Sequence, residues 1–164
     1  MAGKKNKKKL DSDDPTYHHV CSNRKARREY DILDDLECGI MLQGSEVKSV
    51  RDQGISIDES FARMLGGELW LVGANINEYP QANLMNHEAK RTRKLLLHKR
   101  ELRKFAQSAE QQGYTLIPLD VYFARGRVKV KIGLAKGRKV YDKRQKLRTN
   151  TDRRDMSEAL KKGR

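Results

Sequence analysis

Few residues in this chain have the types and spacing that catalysis requires. Asp34 and Asp35 are paired carboxylates, but the side chains of sequence neighbours point apart in a strand, so a solvated pair is the favoured interpretation. The segment 133–138, Gly-Leu-Ala-Lys-Gly-Arg, has the glycines of a phosphate-binding loop but lacks the Gly-Lys-Ser/Thr ending and the following helix. No nucleophile, base and acid form a set, and we predict that the protein is not an enzyme.

The metal-binding residue types are also sparse. Cys21 and Cys38 lie 17 residues apart and form no C-x-x-C motif. They have no zinc-ligand spacing with the four histidines, which are His18, His19, His87 and His98. We expect reduced thiols, no metal and no cofactor, and a structural disulfide is the less favoured alternative.

The formal net charge of +14 is concentrated at the two ends of the chain. Residues 1–28 carry nine Lys/Arg and three Asp, a balance of +6, and residues 134–164 carry twelve Lys/Arg and four Asp/Glu, a balance of +8. Basic arms on a neutral body favour a polyanionic partner, because each cation placed on a phosphate releases a counterion. We therefore predict nucleic acid, with solubility or a membrane surface as the weaker alternatives.

The chain of 164 residues is long enough for one ordinary domain with tails. It contains no apolar run of 18 residues, and no apolar region follows the N-terminal lysines. We expect no membrane span and no signal peptide, and hence a cytoplasmic protein.

The candidate cations must be positioned by a folded body. Residues 1–20 have the composition of a disordered basic arm, and order is expected to begin near the cationic stretch 23–30. Residues 30–42 alternate apolar and polar side chains, which predicts a strand that ends at Gly44. Ser45 then caps a short helix over 46–51, stopped by Gly54.

Further elements follow in the middle of the chain. A weaker strand is predicted over 57–65, then a Gly66–Gly67 turn and a strand over 68–76. The spacing of the apolar residues predicts one long, cation-rich helix over 88–112, which ends at Gly113.

Two clear strands, 114–124 and 127–134, form a hairpin around Arg125 and Gly126. Several short strands, tight turns and one long helix predict a mainly β protein. The favoured fold is a small barrel of the oligonucleotide-binding (OB) type with flanking helices over 21–138. Periodicity leaves an open α+β sheet as the alternative. Residues 139–164 form a basic C-terminal tail with too few apolar residues to fold alone, which we expect to be disordered when free.

Three blocks of sequence, in the same order, resemble the SsrA-binding protein (SmpB) family. The first block holds Asn-Arg-Lys-Ala-Arg at 23–27, Glu-Cys-Gly-Ile at 37–40 and Gly-Ser-Glu-Val-Lys-Ser-Val-Arg at 44–51. The second holds Asn-His-Glu at 86–88 and Arg-Thr-Arg-Lys-Leu-Leu-Leu-His-Lys-Arg-Glu at 91–101. The third includes Ala-Lys-Gly at 135–137 and Tyr-Asp-Lys-Arg at 141–144.

This resemblance implies an OB-like barrel and a non-catalytic adaptor. Family members bind the tRNA-like domain of transfer-messenger RNA (tmRNA) and bring it to stalled ribosomes for trans-translation, with the tail lying in the empty mRNA channel. We expect the tail of this chain to become helical there, and the free protein to be a monomer. The alternative function is a ribosomal or ribosome-assembly protein that binds structured RNA.

The resemblance and the distribution of cations together indicate two sets of contact residues. The candidate RNA-binding residues are Asn23, Arg24, Lys25, Arg27, Glu37, Lys48, Arg51, Asn86, His87, Arg91, Arg93, Lys94, Lys136, Gly137, Arg138 and Lys139. The candidate contacts to the ribosomal decoding centre are Tyr141, Asp142, Lys143 and Arg144.

Overall fold

The structure, a computed structural model, describes residues 16–138, except for the side chains of 83–85, 104 and 110–112. The tail at 139–164, with Lys139 and the four decoding-centre candidates, lies outside the described residues, as does most of the N-terminal arm. The described chain has seven strands: β1 (His18–Ser22), β2 (Tyr30–Ile40), β3 (Phe61–Leu65), β4 (Glu68–Val72), β5 (Arg93–Leu96), β6 (Thr115–Ala124) and β7 (Arg127–Gly137). Three α-helices, α1 (Arg24–Glu29), α2 (Gly44–Asp52) and α3 (Lys99–Gln112), and a 3-10 helix (Pro80–Met85) complete this part of the chain.

All strand pairs are antiparallel, and six strands close into a barrel. Their order is β6-β3-β4-β5-β2-β7, and β7 pairs with β6 as well as with β2, which closes the ring. Strand β1 is added to the free edge of β6 beyond its short contact with β3. The predicted mainly β, OB-like barrel with flanking helices is confirmed, and closure excludes the open sheet.

The barrel interior is filled by alternate side chains of its strands. Cys38, Leu71, Val130 and Ile132 have no exposed surface, and Phe105 of α3 packs against the same core. Each such side chain contributes about 1.5–3 kcal/mol through its removal from water. The core therefore fixes the register of the strands, on which the helices and loops that carry most of the functional candidates are mounted.

Several predicted elements agree with the structure. Gly113 ends α3 in a left-handed conformation with φ of 63°, as expected for a glycine that stops a helix. Arg125 and Gly126 both have positive φ in the β6–β7 turn, and the Gly66–Gly67 turn between β3 and β4 does likewise. These are the turns that match the twist of a hairpin.

Four expectations about local structure are wrong. His18–Val20 belong to β1 rather than to a disordered arm, because their backbone pairs with β6. Gln43 rather than Ser45 precedes the first turn of α2. The strands expected over 57–65 and 68–76 are shortened to β3 and β4.

The fourth error is the long helix predicted over 88–112. Residues 93–96 instead form β5, which lies between β4 and β2, and the helix begins only at Lys99. Leu95 faces the barrel core in this strand. The strand forms because its backbone can pair with β4 on one side and with β2 on the other. This tertiary pairing outweighs the local preference for a helix that the spacing of the apolar residues indicates.

Candidate nucleic-acid interface

Helix α1 positions the first group of cations. The buried Asn23 precedes it, with its Oδ1 accepting a hydrogen bond from the Ala26 amide at 2.7 Å and its Nδ2 donating to the Ile57 carbonyl at 3.1 Å. Ala26 faces inward, whereas Arg24 and Lys25 are exposed. Asn23 is thus the residue that caps α1, and both polar atoms of its side-chain amide are hydrogen-bonded. The capped helix leaves Arg24 and Lys25 exposed to solvent.

The end of β7 lies beside α1 and supplies further candidates. Tyr30 pairs with Gly137 and Asp31 with Lys136, and the Arg138 amide donates to the Glu29 carbonyl at 3.1 Å. Lys136 is exposed. We call Arg24, Lys25 and Lys136 the α1 pole; none of the three makes an ion pair with a residue that the structure describes.

Two other cations near this pole are already paired. The Arg138 side chain is 10% exposed, and its Nε donates to Asp31 Oδ1 at 2.6 Å and its Nη1 to the Arg28 carbonyl at 3.2 Å. Arg27 donates to Asp120 at 2.6 Å but keeps 55% of its side chain exposed. Arg27 can therefore exchange its carboxylate for a phosphate more easily than Arg138 can.

A groove of about 810 Å³ lies between β2, the β5–α3 connection and the start of β7. We call it the barrel groove. It joins Glu37, a sequence candidate, to four residues that sequence analysis did not select, namely Leu97, His98, Arg127 and Lys129. Its lining combines apolar side chains with two cations, Arg127 and Lys129, and two carboxylates, Glu37 and Glu101. Apolar surface next to cations is suited to an unstacked base and its phosphate.

Glu37 is the acceptor of a hydrogen-bonded network in this groove. Its carboxylate accepts from Lys129 Nζ and from the hydroxyl of Tyr122, one residue on each of the next two strands. Partial burial acts to raise the pKa of Glu37, but these hydrogen bonds outweigh it and hold the pKa below its ordinary value. Burial and the Glu37 charge raise the pKa of Tyr122. Glu37 therefore stays ionised and fixes Lys129 at the groove wall.

Arg91 and Arg93, two predicted RNA contacts, are used inside the protein. Both donate to Glu46 of α2, Arg91 Nη2 at 2.7 Å and Arg93 Nε at 2.9 Å. Arg93 is fully buried and also donates to the carbonyls of Ala74, Ala89 and Arg91. The pair of arginines therefore ties α2 to β5 and to the preceding loop.

Asn86 and His87 have a similar role. Asn86 Oδ1 accepts from the Tyr79 amide at 3.1 Å, and its Nδ2 donates to the Tyr79 carbonyl at 3.0 Å. The ring nitrogens of the buried His87 lie 3.1 Å from Ser45 Oγ and 3.2 Å from the Ile76 carbonyl oxygen. These contacts close the loop around the 3-10 helix.

The remaining candidates lie on α2 and β5. Lys48 Nζ is 5.6 Å from the centre of the Tyr79 ring, and the Arg51 guanidinium is 5.6 Å from that of Phe123. Both cations are exposed and rest on aromatic rings without an ion pair to a described residue. Lys94 is paired with Glu68 at the surface.

The structure thus separates most of the candidate RNA-binding residues into three groups. Arg24, Lys25, Lys48, Arg51 and Lys136 present exposed side chains, and Arg27, Glu37 and Lys94 are paired but accessible. Asn23, His87 and Arg93 are buried. The sequence did not single out Arg127 and Lys129 as contact residues, because the groove forms only when β2 and β7 pair. The available signal was the position of Arg127 directly after the Arg125–Gly126 turn.

The described residues also bear on disulfides, metal sites and membrane spans. Cys21 and Cys38 are free thiols. Over residues 16–138, no three His, Cys, Asp or Glu side chains are grouped as metal ligands would be. No helix in this range has the length and apolar character to cross a membrane.

A closed antiparallel barrel with exposed cations at the α1 pole and two cations lining the barrel groove defines the class of small OB-type nucleic-acid-binding proteins. The family is identified by comparison with known proteins: the model of the SmpB protein family matches residues 20–162. The chain belongs to the SmpB family.

Relatives and a solved structure agree with this assignment. The SsrA-binding protein of Protochlamydia amoebophila is 48% identical over 142 residues, which cover 87% of this chain and 93% of that protein. The SsrA-binding protein of Rhodopirellula baltica is 48% identical over 149 residues, covering 90% and 85%. A chain from a solved structure described as "tmRNA-SmpB: a journey to the center of the bacterial ribosome" matches with a TM-score of 0.62 and 48% identity, covering 74% of this chain and 85% of that one.

Proposed function

We propose that this protein is a tmRNA-binding adaptor of trans-translation, which binds the tRNA-like domain of tmRNA and brings it to stalled ribosomes. The observation that carries the proposal is membership of the SmpB family over residues 20–162. Relatives at 48% identity are named for binding SsrA, and the similar solved chain comes from a tmRNA–SmpB structure on the bacterial ribosome.

The RNA surface proposed here combines the α1 pole with the barrel groove. Arg24, Lys25 and Lys136 are exposed and unpaired within the described chain, which favours contact with phosphates. Arg127 and Lys129 line the groove beside apolar Leu97, which favours contact with an unstacked base. Lys48 and Arg51 extend the cationic surface along α2.

The buried candidates support this surface from within. Asn23 caps the helix that carries Arg24 and Lys25, and Arg93 anchors α2 through Glu46. We therefore assign Asn23, His87 and Arg93 to positioning the RNA surface rather than to direct contact. Glu37 acts by holding Lys129, and its carboxylate is accessible enough to accept from a base amino group.

The proposed division of labour places RNA binding in the barrel and ribosome recognition in the tail. Lys139 would continue the α1 pole, and Tyr141, Asp142, Lys143 and Arg144 would contact the decoding centre. The proposal follows from the Tyr-Asp-Lys-Arg motif, the +8 balance of residues 134–164 and their low apolar content. The adaptor acts as a cytoplasmic monomer without catalysis of its own.

A binding assay with the full chain tests the proposal. The tRNA-like domain of tmRNA should bind more tightly than an elongator tRNA of equal length, and affinity should fall by ~10³-fold or more between 50 and 200 mM salt if six or more phosphates are contacted. Sequencing of RNA that co-purifies with the protein from bacterial cells should recover tmRNA. Equal affinity for both RNAs and recovery of ribosomal RNA alone would refute it.

A further inference from the structure

The outer face of β3, β4 and β5 carries a row of side chains that neither the core nor the proposed RNA surface explains. Arg63 of β3 pairs with Trp70 of β4, and Trp70 pairs with Lys94 of β5. The Met41 amide, just beyond β2, donates to the Lys94 carbonyl at 2.9 Å and continues the row. Since Leu69 and Leu71 point into the core, Trp70 between them points outward.

The residues around this row are unusually apolar for a surface. Of the five exposed large hydrophobic side chains in the described chain, four lie here, each between 41% and 52% exposed: Met41, Phe61, Leu65 and Leu96. Together with Arg63, Trp70 and Lys94 they form what we call the Trp70 face. Contiguous exposed apolar side chains of this kind mark binding surfaces.

The charge of the Trp70 face favours an anionic occupant. Arg63 is exposed and makes no ion pair with any residue in the described range. Lys94 is paired with Glu68, but both side chains are partly exposed at 30% and 43%, so an incoming phosphate can displace the carboxylate at little cost. The indole is therefore flanked on both neighbouring strands by cations.

The Trp70 face is also continuous with the barrel groove. Leu96 belongs to both surfaces, and its strand partner Gly39 lines the groove together with Lys129. A chain of RNA that leaves the groove over Leu96 reaches Trp70 on the next strand. On the way it passes Glu68, whose carboxylate is paired with Lys94.

We propose that the Trp70 face binds an unpaired nucleotide of RNA, with its base stacked on the Trp70 indole and its flanking phosphates at Arg63 and Lys94. This inference rests on the proposed RNA-binding function and adds a second contact surface to it. Alternating aromatic and cationic side chains on the face of a small barrel is the arrangement by which single strands are bound without base specificity. Aliphatic Met41 and Leu96 exclude water at the edge of the stacked base.

The chain offers a direct probe, because Trp70 is its only tryptophan. Its fluorescence in the full-length protein should be quenched when the tRNA-like domain of tmRNA or a single-stranded 12-mer of oligouridylate binds. A blunt RNA duplex of equal length should bind through the cations without quenching. RNA binding is followed in parallel by the anisotropy of a dye on the RNA.

Two pairs of variants separate stacking from packing. Trp70→Leu keeps an apolar side chain without an aromatic face and should weaken oligouridylate binding ~5- to 100-fold, whereas Trp70→Phe should retain most of the affinity. Arg63→Gln should reduce the slope of log affinity against log salt by about 1, and Arg103→Gln, an exposed cation on α3, should leave it unchanged. Urea unfolding of each variant verifies that the barrel is intact.

Three other results would overturn the inference. RNA binding with unchanged Trp70 fluorescence and unchanged affinity of Trp70→Leu would show that the face is not used, while the tmRNA proposal would stand. A fluorescence change that depends on protein concentration alone, with a dimer in sedimentation, would assign the face to a second copy of the chain. Absence of binding to any RNA would refute both this inference and the proposed function.

Discussion

Arg93 Nε lies 2.9 Å from Glu46 Oε1, and neither side chain has any exposed surface. The pair joins the first turn of α2 to the first residue of β5, 47 positions along the chain. Glu46 also accepts from Arg91 and from the Gln43 amide, so both oxygens of the buried carboxylate are hydrogen-bonded. Two residues that resemble phosphate ligands in the sequence thus act as an internal brace for the helix that carries Lys48 and Arg51.

The first prediction concerns the stability of this brace. Arg93→Ala should lower the free energy of unfolding by about 3–5 kcal/mol, because it leaves the buried Glu46 with fewer partners. Urea denaturation followed by circular dichroism measures the change. The neighbouring Lys94→Ala is the control; it removes only a surface ion pair and should cost at most about 1 kcal/mol. Equal small losses in both variants would argue against a structural role for Arg93.

The second prediction concerns how the free energy of unfolding changes at acid pH. Burial acts to raise the pKa of Glu46, but the hydrogen bonds from Arg91 and the Gln43 amide and the charge of Arg93 hold it below the ordinary value of 4.5. The stabilisation from the ionised carboxylate is therefore fully present above pH 4.5 and is lost as the pH falls through the lowered folded-state pKa. The difference in unfolding free energy between wild type and Glu46→Gln should shrink as the pH is lowered below 4.5. A difference that grows in acid would contradict this sign.

The third prediction separates RNA-contacting cations from solvated ones. Lys25→Gln, Lys136→Gln and Arg127→Gln should each reduce the slope of log affinity against log salt for the tRNA-like domain by about 1, since each removes one phosphate contact. Arg103→Gln on α3 is the control, because it also removes one positive charge but lies outside the proposed RNA surface. If all four variants shift the slope alike, net charge rather than the α1 pole and groove determines binding.

The fourth prediction tests the division between barrel and tail. Truncation after Lys139 should leave affinity for the tRNA-like domain nearly unchanged, because the α1 pole and the groove are retained. The same truncation should abolish tagging of nascent chains on stalled ribosomes in a reconstituted translation assay. Substitution of Asp142, Lys143 and Arg144 by Ala in the full chain should reproduce the defect. Tagging by the truncated protein would refute the proposed role of the tail.

The fifth prediction concerns the two thiols. Burial, together with nearby carboxylates, raises the pKa of Cys21 to about 11 and that of Cys38 to about 12. Since the thiolate is the reactive form, neither cysteine should react with Ellman's reagent in the folded protein near neutral pH. Both should react after denaturation in urea, and rapid labelling of the native protein would contradict the burial of the two thiols.

Much of the barrel could be predicted from local signals. The β6–β7 hairpin, β2 and the end of α3 followed from period-two alternation, the Arg125–Gly126 turn and Gly113, all of which act within a few residues. The prediction of a helix at residues 93–96 is wrong, because the spacing of Leu95 and Leu102 is compatible with two structures. One is a single long helix, and the other is a strand followed by a shorter helix. The pairing of Leu95 with Leu69 and Ile40 was needed to decide.

The candidate RNA-binding site could likewise be predicted only in part. Sequence alone identified the family, the basic ends and the exposed cations of α1 and α2, since charge and motif order are properties of the chain itself. Only the tertiary structure separated Arg93, which is buried on Glu46, from Arg127, which lies at the groove. It also placed Trp70 between Arg63 and Lys94. Burial and pairing depend on residues tens of positions away, and the closure of the barrel brings those residues together.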